Sequence, residues 1–202
     1  MKFGIVGAGR IGSALAKHLV RSQFDVAIYN SRGPESLKGL LQDLGPGAKA
    51  GTPAEIAAAD IIVLAVDWEH LPQAISSLPS LAGKIVIDPS NPIIPPGYSF
   101  AQLDGKTSSE IVSKLVPGAR LVKAFNTLPA ALLASSPTEA GGHRVIFMSG
   151  DDKDAKAEVQ GVIEKMGFAA IDLGDLVSGG KLQQIPGGPL PTLNLVQLAS
   201  AL

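Results

Sequence analysis

Met1-Lys2-Phe3-Gly4-Ile5-Val6 runs directly into Gly7-Ala8-Gly9-Arg10-Ile11-Gly12. A short apolar strand, a G-x-G-x-x-G turn and then Ile11, Leu15 and Leu19 at helical spacing leave few folds open. In such a turn Gly7 permits the tight reversal, Gly9 lets the backbone approach a pyrophosphate, and Gly12 lets the new helix pack closely on the strand. The free N–H groups that begin the helix, with its dipole, favour an anion at that point. The pattern predicts a dinucleotide at the C-terminal end of the first strand.

The alternation continues. Phe24–Tyr29 reads as a second strand, and Pro34 suits the first turn of a helix to about Leu44, stopped by Gly45-Pro46-Gly47. Lys49–Gly51 is a short strand, and Thr52 caps a brief helix from Pro53. Asp60–Val66 is the continuous apolar run that a parallel strand covered on both faces requires. A helix over Trp68–Leu78 and a strand over Lys84–Asp88 follow. Pro89–Lys106 is proline-rich and aperiodic, and loops of that length inside compact domains are usually functional. Ser108–Leu115 reads as helix, and Arg120–Ala124 and His143–Met148 as strands. Asp151 or Asp152 caps a helix whose Ala155, Val159, Val162, Ile163 and Met166 share a face, Gly167 stops it, and Phe168–Leu173 is the last strand. The expected fold is α/β, a Rossmann-type doubly wound and mainly parallel sheet in a single compact domain. Residues 1–202 form one NAD(P)-binding domain, with a small C-terminal helical extension over about 174–202.

Composition narrows the function classes. The apolar share is 46%, the charged share 17%, and the net charge of −1 offers no electrostatic argument for nucleic acid or an anionic membrane. With no cysteine there is no disulfide, thiol nucleophile or thiolate metal site. His18, His70 and His143 lack metal-ligand spacing, so no metal is expected. The longest apolar run, Ile61–Val66, falls far short of the ~20 residues that span a bilayer. Met1 leads straight into a strand, with no signal-peptide pattern, so a cytoplasmic protein without a membrane partner is expected.

The residues that end the second strand indicate which dinucleotide. An acid there binds the ribose 2′-hydroxyl of the unphosphorylated cofactor; here the position is Asn30, followed by Ser31 and Arg32. An amide, a hydroxyl and a guanidinium can all donate to a 2′-phosphate that a carboxylate would repel. NADP(H) is the expected cofactor.

Several segments taken together carry a family likeness: Gly7–Gly12, Asn30-Ser31-Arg32, Leu64-Ala65-Val66-Asp67-Trp68, Asp88-Pro89-Ser90-Asn91-Pro92 and Val122-Lys123-Ala124-Phe125-Asn126-Thr127. With these the chain resembles the coenzyme F420-dependent NADP oxidoreductases, whose fold is also used by the reductase domains of the STEAP metalloreductases. Gly150-Asp151-Asp152 and Gly167-Phe168 extend the likeness toward the C-terminus. The resemblance implies a reductase that passes hydride from NADPH to a flavin, or to a deazaflavin such as F420. It places Ala65, Val66, Asp67, Ser90, Asn91, Ala124 and Asn126 around the cofactor, beside the glycine turn and Asn30-Ser31-Arg32. Relatives usually carry proline where this chain has Asp67.

Hydride transfer between two stacked rings needs positioning and dryness, not a nucleophile, so no catalytic side chain is expected. Pro92, Asn126, Thr127 and His70 are the expected pocket for the small-molecule electron acceptor. Glu110, near a helix start, reads equally as a cap and as an acid. The apolar tail from Leu193 to Leu198 suggests either packing onto the chain's own sheet or a homodimer, and relatives dimerise through this end. Two other functions fit the same motifs. One is a redox sensor that binds NADPH without turnover; the other is a small imine or carbonyl reductase, disfavoured because too few residues follow the last expected strand for the usual helical second domain.

Overall fold

The computed structural model describes residues 1–96 and 99–198, and the apolar runs of the sequence become the strands of one central sheet. The first half contains β1 (Lys2–Val6), α1 (Arg10–Arg21), β2 (Asp25–Tyr29), α2 (Lys38–Leu44), β3 (Ala48–Ala50), α3 (Pro53–Ala57), β4 (Ile61–Leu64), α4 (Leu71–Ser76) and β5 (Ile85–Asp88). A separate hairpin of β6 (Ile93–Ile94) and β7 (Ser99–Phe100) follows. The second half contains α5 (Ser108–Leu115), β8 (Arg120–Ala124), α6 (Ala130–Leu133), β9 (Thr138–Glu139) and β10 (Gly142–Gly150). It closes with α7 (Lys153–Lys165), β11 (Ala169–Asp172), α8 (Ser178–Gln183) and β12 (Val196–Leu198).

The sheet runs β11-β10-β8-β5-β4-β1-β2-β3. All neighbours on that path are parallel except β8 and β10. The chain winds outward from β1 to β3, then crosses to β4 and winds the other way. The crevice where that order reverses is where open α/β sheets take ligands. Burial on both faces explains the unbroken apolar runs. Ile61, Val63, Ile85 and Ile87 pack with α1 and α7, whereas Ile62, Leu64 and Val86 pack with α3, α4 and α5. Both strands are fully buried, and truncating Ile62 to alanine should cost about 2–5 kcal/mol. This is the doubly wound, mainly parallel Rossmann-type architecture that the sequence predicts.

Local departures have local causes. The expected helix over 68–78 is a 3₁₀ turn at Trp68–His70 followed by α4, because Pro72 lacks the N–H that a continuous helix would need. The expected helix from Pro34 likewise opens as a 3₁₀ turn, Pro34–Leu37, before α2. The long proline-rich loop contains the β6–β7 hairpin. Asp152, not Asp151, caps α7 by accepting from Ala155 N–H at 2.8 Å. It also pairs with Arg120 of β8, whose guanidinium holds the Asp152 carboxyl down at about 2.

The tail departs most. The helical extension expected over about 174–202 is helical only in α8. Pro186, Pro189 and Pro191 break any continuation, and Val196–Leu198 instead pairs antiparallel with Gly142–Arg144 of β10. The chain therefore packs this segment on its own sheet, although Leu193, Leu195 and Leu198 stay exposed; the last four expected helical residues, 199–202, lie outside the described residues. No helix among the described residues is long and apolar enough to cross a membrane.

Candidate functional site

The glycine turn has the geometry its spacing implies. Gly7 has φ +100°, and a Cβ there would run into the Ala65 carbonyl. A Cβ on Gly12 would strike the Gly7 carbonyl, so α1 can lie this close to β1 only with glycine. At Gly9 no heavy atom of the described residues lies within 4 Å of the Cβ position. Packing therefore does not demand glycine there, and the space belongs to the cleft. Gly9 is also the N-cap of α1 and gives no side-chain cap, and the first turn holds no acid. The N–H groups of that turn are free for an anion.

That cleft has a volume of about 770 Å³ and lies over the C-terminal ends of β1, β4, β5 and β8. Gly9, Arg10 and Ile11 line one part, and Ala65, Val66, Asp67 and Trp68 the next. The Pro89–Asn91 turn, Ile93 and Pro95 form one wall; Phe125, Asn126 and Thr127 form the facing one. Ile185 and Thr192 close it from the C-terminal segment. Asp67 precedes the 3₁₀ turn without capping it, so its exposed carboxylate is left to the cleft.

Asn30 is buried, and its side chain builds the turn beyond β2. Its Oδ1 accepts from Arg32 N–H at 3.1 Å, and its Nδ2 donates to Ser36 Oγ at 2.9 Å. The amide expected to face a 2′-phosphate is thus used internally, and the two residues it presents, Ser31 and Arg32, are exposed. These residues, with Gly7, Ala8 and Gly12, lie behind or beside the cleft and do not line it.

At the inner end the side chains are tied to one another. Asn91 Nδ2 donates to the Asn126 carbonyl at 2.8 Å, and Asn126 Nδ2 donates to Asn91 Oδ1 at 3.1 Å and to the Gln183 carbonyl at 2.6 Å. Ile185 N–H also donates to Asn91 Oδ1, and Thr192 N–H donates to the Thr127 carbonyl at 2.8 Å. Asn126 Oδ1 and Gln183 Oε1 are buried without partners among the described residues. Phe125, 2% exposed, sits at φ +66°, a conformation bulky residues adopt at a cost of about 1–3 kcal/mol and hold mainly at functional sites.

Other expected positions fall elsewhere. Pro92 and Ala124 are buried behind the lining, and His70 is exposed outside it. Glu110 forms a capping box with Thr107, and that backbone N–H lowers its carboxyl below the ordinary value. Capping accounts for Glu110, with Thr107 as the cap. His18 is buried and does not line the cleft, its Nε2 donating to the Leu133 carbonyl at 2.7 Å. Among the described residues no cluster of three or more His, Cys, Asp or Glu side chains is placed to hold a metal ion.

Sequence reasoning missed Ile185, Thr192 and Gln183. It also left unremarked the charges in two otherwise apolar strand ends, Asp88 and Lys123. A charge inside a run that must be buried is a signal in its own right.

The comparisons with known proteins agree with this geometry. The family model for F420-dependent NADP oxidoreductases matches residues 2–92. The rat metalloreductase STEAP3 is 34% identical over 192 residues, which is 95% of this chain and 37% of that protein; the chain thus spans about a third of that relative. A solved structure of a Sinorhizobium meliloti protein without assigned function superposes with TM-score 0.92 at 44% identity, over 98% of this chain and 96% of that one. A second, from Arthrobacter sp. FB24 and assigned as an F420-dependent NADP reductase, gives TM-score 0.74 at 30% identity, over 87% and 86%. With the glycine turn, the switch-point cleft and these matches in agreement, the chain belongs to the F420-dependent NADP oxidoreductase family.

Proposed function

We propose that the chain transfers hydride between NADP(H) and a flat flavin-like or deazaflavin acceptor. The observation that carries this reading is the continuity of the cleft, from the open side of the glycine turn to a wall of Phe125, Leu128, Ile93 and Ile185. The first suits phosphates; the second suits stacked rings. The nicotinamide supplies the hydride, so the chain has to bind, orient and exclude water.

The residues divide that work. Gly7, Ala8, Gly9, Arg10, Ile11 and Gly12 hold the pyrophosphate, and Ser31 and Arg32 take the 2′-phosphate on the turn Asn30 builds. Ala65, Val66 and Asp67 face the adjoining ribose. Ser90, Asn91 and Asn126 form the seat of the ring, with Ala124 behind it. Thr127 serves the acceptor side; Pro92 stiffens the wall from behind, and His70 stands at the outer rim. A second copy of the chain covering Leu193, Leu195 and Leu198 would shield part of this end from water, and sedimentation velocity would detect such a dimer.

The test is NADPH oxidation against coenzyme F420, FMN, a quinone and a ferric chelate. Hydride transfer to one of the flat rings is the expected result. Tight NADPH binding with no oxidation by any of them would replace this reading with that of a sensor.

A further inference from the structure

The inner wall of the cleft is held by two charges that no ligand can reach. Asp88 ends β5 and Lys123 lies near the end of β8, and the parallel register sets them side by side. Both side chains are 0% exposed. Lys123 Nζ donates to Asp88 Oδ2 at 2.9 Å and to the Ser90 carbonyl at 2.7 Å. The other carboxylate oxygen, Asp88 Oδ1, accepts from Ser90 N–H at 2.9 Å and from Ser90 Oγ at 2.6 Å. All three polar groups of Ser90 are thus fixed by the pair.

Stability alone gives little reason for this arrangement, because a buried ion pair is often replaced by apolar residues of similar volume without loss. Two aliphatic side chains could fill the space, but they could not grip both the N–H and the C=O of one turn residue. That residue lines the cleft, and its neighbour Asn91 carries the constraint onward to Asn126 and to the C-terminal segment. Gln183 adds a contact from α8, donating to the Lys123 carbonyl at 3.3 Å and to Ser149 Oγ at 2.7 Å. Phe125, two residues past Lys123, keeps its left-handed backbone only if the frame around it is over-determined.

We infer that Asp88 and Lys123 are positioning residues for the transferring ring: acting through Ser90 and Asn91, they fix the wall against which the nicotinamide lies. This rests on the NADP(H) reading above. The pair touches neither ring, so its effect is on where the ring sits and not on how tightly the phosphates are held.

The double variant Asp88→Leu/Lys123→Met replaces the pair with apolar side chains of comparable size. Ser90→Ala, which removes only the hydroxyl contact, is a milder second variant that leaves the ion pair intact. Thermal unfolding, NADPH affinity, the emission of bound NADPH and amide hydrogen exchange at Ser90 and Asn91 are then compared with wild type. In wild type the emission of bound NADPH is expected to shift to the blue, as for a ring held in an apolar seat. In the double variant the protein should stay folded and affinity should stay within about threefold. The emission shift should be lost, and exchange at Ser90 and Asn91 should accelerate while β5 and β8 stay protected. Ser90→Ala should show a smaller loss in the same direction. A folded double variant with unchanged emission and exchange overturns the inference; if the double variant does not fold, an unchanged Ser90→Ala protein does so. No NADPH binding by wild type would instead overturn the functional reading on which it rests.

Discussion

At one end of the cleft Gly9, Arg10, Ser31 and Arg32 are exposed, and what they offer is open space, free backbone N–H groups and positive charge. At the other, Ser90, Asn126 and Thr127 are buried, and most of their polar groups are already bonded to other parts of the chain. In the proposed function the phosphate end recognises its ligand by charge, which tolerates some motion, and the ring end recognises by shape, which does not. A charge-assisted contact falls off gently with distance, whereas misplacing reacting atoms by about 1 Å can cost 100-fold in rate. Mutations at the two ends should therefore separate affinity from chemistry.

The largest effect is expected at Gly9. A Cβ there has no heavy atom of the described residues within 4 Å, so Gly9→Val should fold with near-wild-type stability while its side chain occupies the space given to the pyrophosphate. Titration should show no binding of NADPH or NADH at millimolar cofactor. A folded variant that binds normally would move the cofactor away from the glycine turn.

Asn126→Leu attacks the other end. It leaves the Gln183 carbonyl unpaired in a buried place, a loss of about 1–3 kcal/mol, so the melting temperature should fall by roughly 2–12 °C. NADPH affinity should change little, and single-turnover oxidation should slow by about 100-fold. An unaltered hydride step would leave Asn126 as a structural joint between β8, the Asn91 turn and α8.

How far each end was legible in the sequence follows the same division. Gly7 needs a left-handed backbone and Gly12 a close approach of helix to strand, with Gly9 at fixed spacing between them, so the turn announces itself. The apolar runs of β4 and β5 are equally direct, since a strand buried on both faces has no room for alternation. The ring end is assembled from contacts 35 to 94 residues apart, between β5, β8 and the C-terminal segment, and no local pattern encodes them. Pro-rich residues 184–191 gave no sign that Ile185, and Thr192 just beyond them, would close the cleft, because each is held there by a residue distant in sequence, Asn91 and Thr127. Asn30 shows the limit at finer scale: its type suggested a phosphate donor, while its neighbours decided that it would build the turn.

Arg32→Ala probes charge recognition alone. A charge-assisted hydrogen bond is worth about 1.5–3 kcal/mol, so NADPH binding should weaken roughly 10- to 100-fold, with NADH nearly unchanged. Higher salt should shrink the difference, because Arg32 is exposed. Equal losses for both cofactors would show that Arg32 does not read the 2′-phosphate.

The smallest effect concerns the link between the two ends. α1 carries the glycine turn's C-terminal end, and α6 follows the Asn126–Thr127 strand end; His18 of α1 joins them through its bond to the Leu133 carbonyl. Burial lowers the His18 pKa below its ordinary 6.5; the bond to Leu133 opposes this, and Arg21 and Lys17 add to it. The folded protein therefore keeps His18 neutral at pH values where the unfolded chain has already taken up a proton. The stability this provides is complete above pH 6.5 and is lost as pH falls toward the folded value. His18→Gln keeps a donor for Leu133 without a titrating group, so its denaturation midpoint should vary less with pH over that interval than that of wild type. An identical pH dependence in both proteins would show that His18 does not carry it, and that α1 and α6 are held together by packing alone.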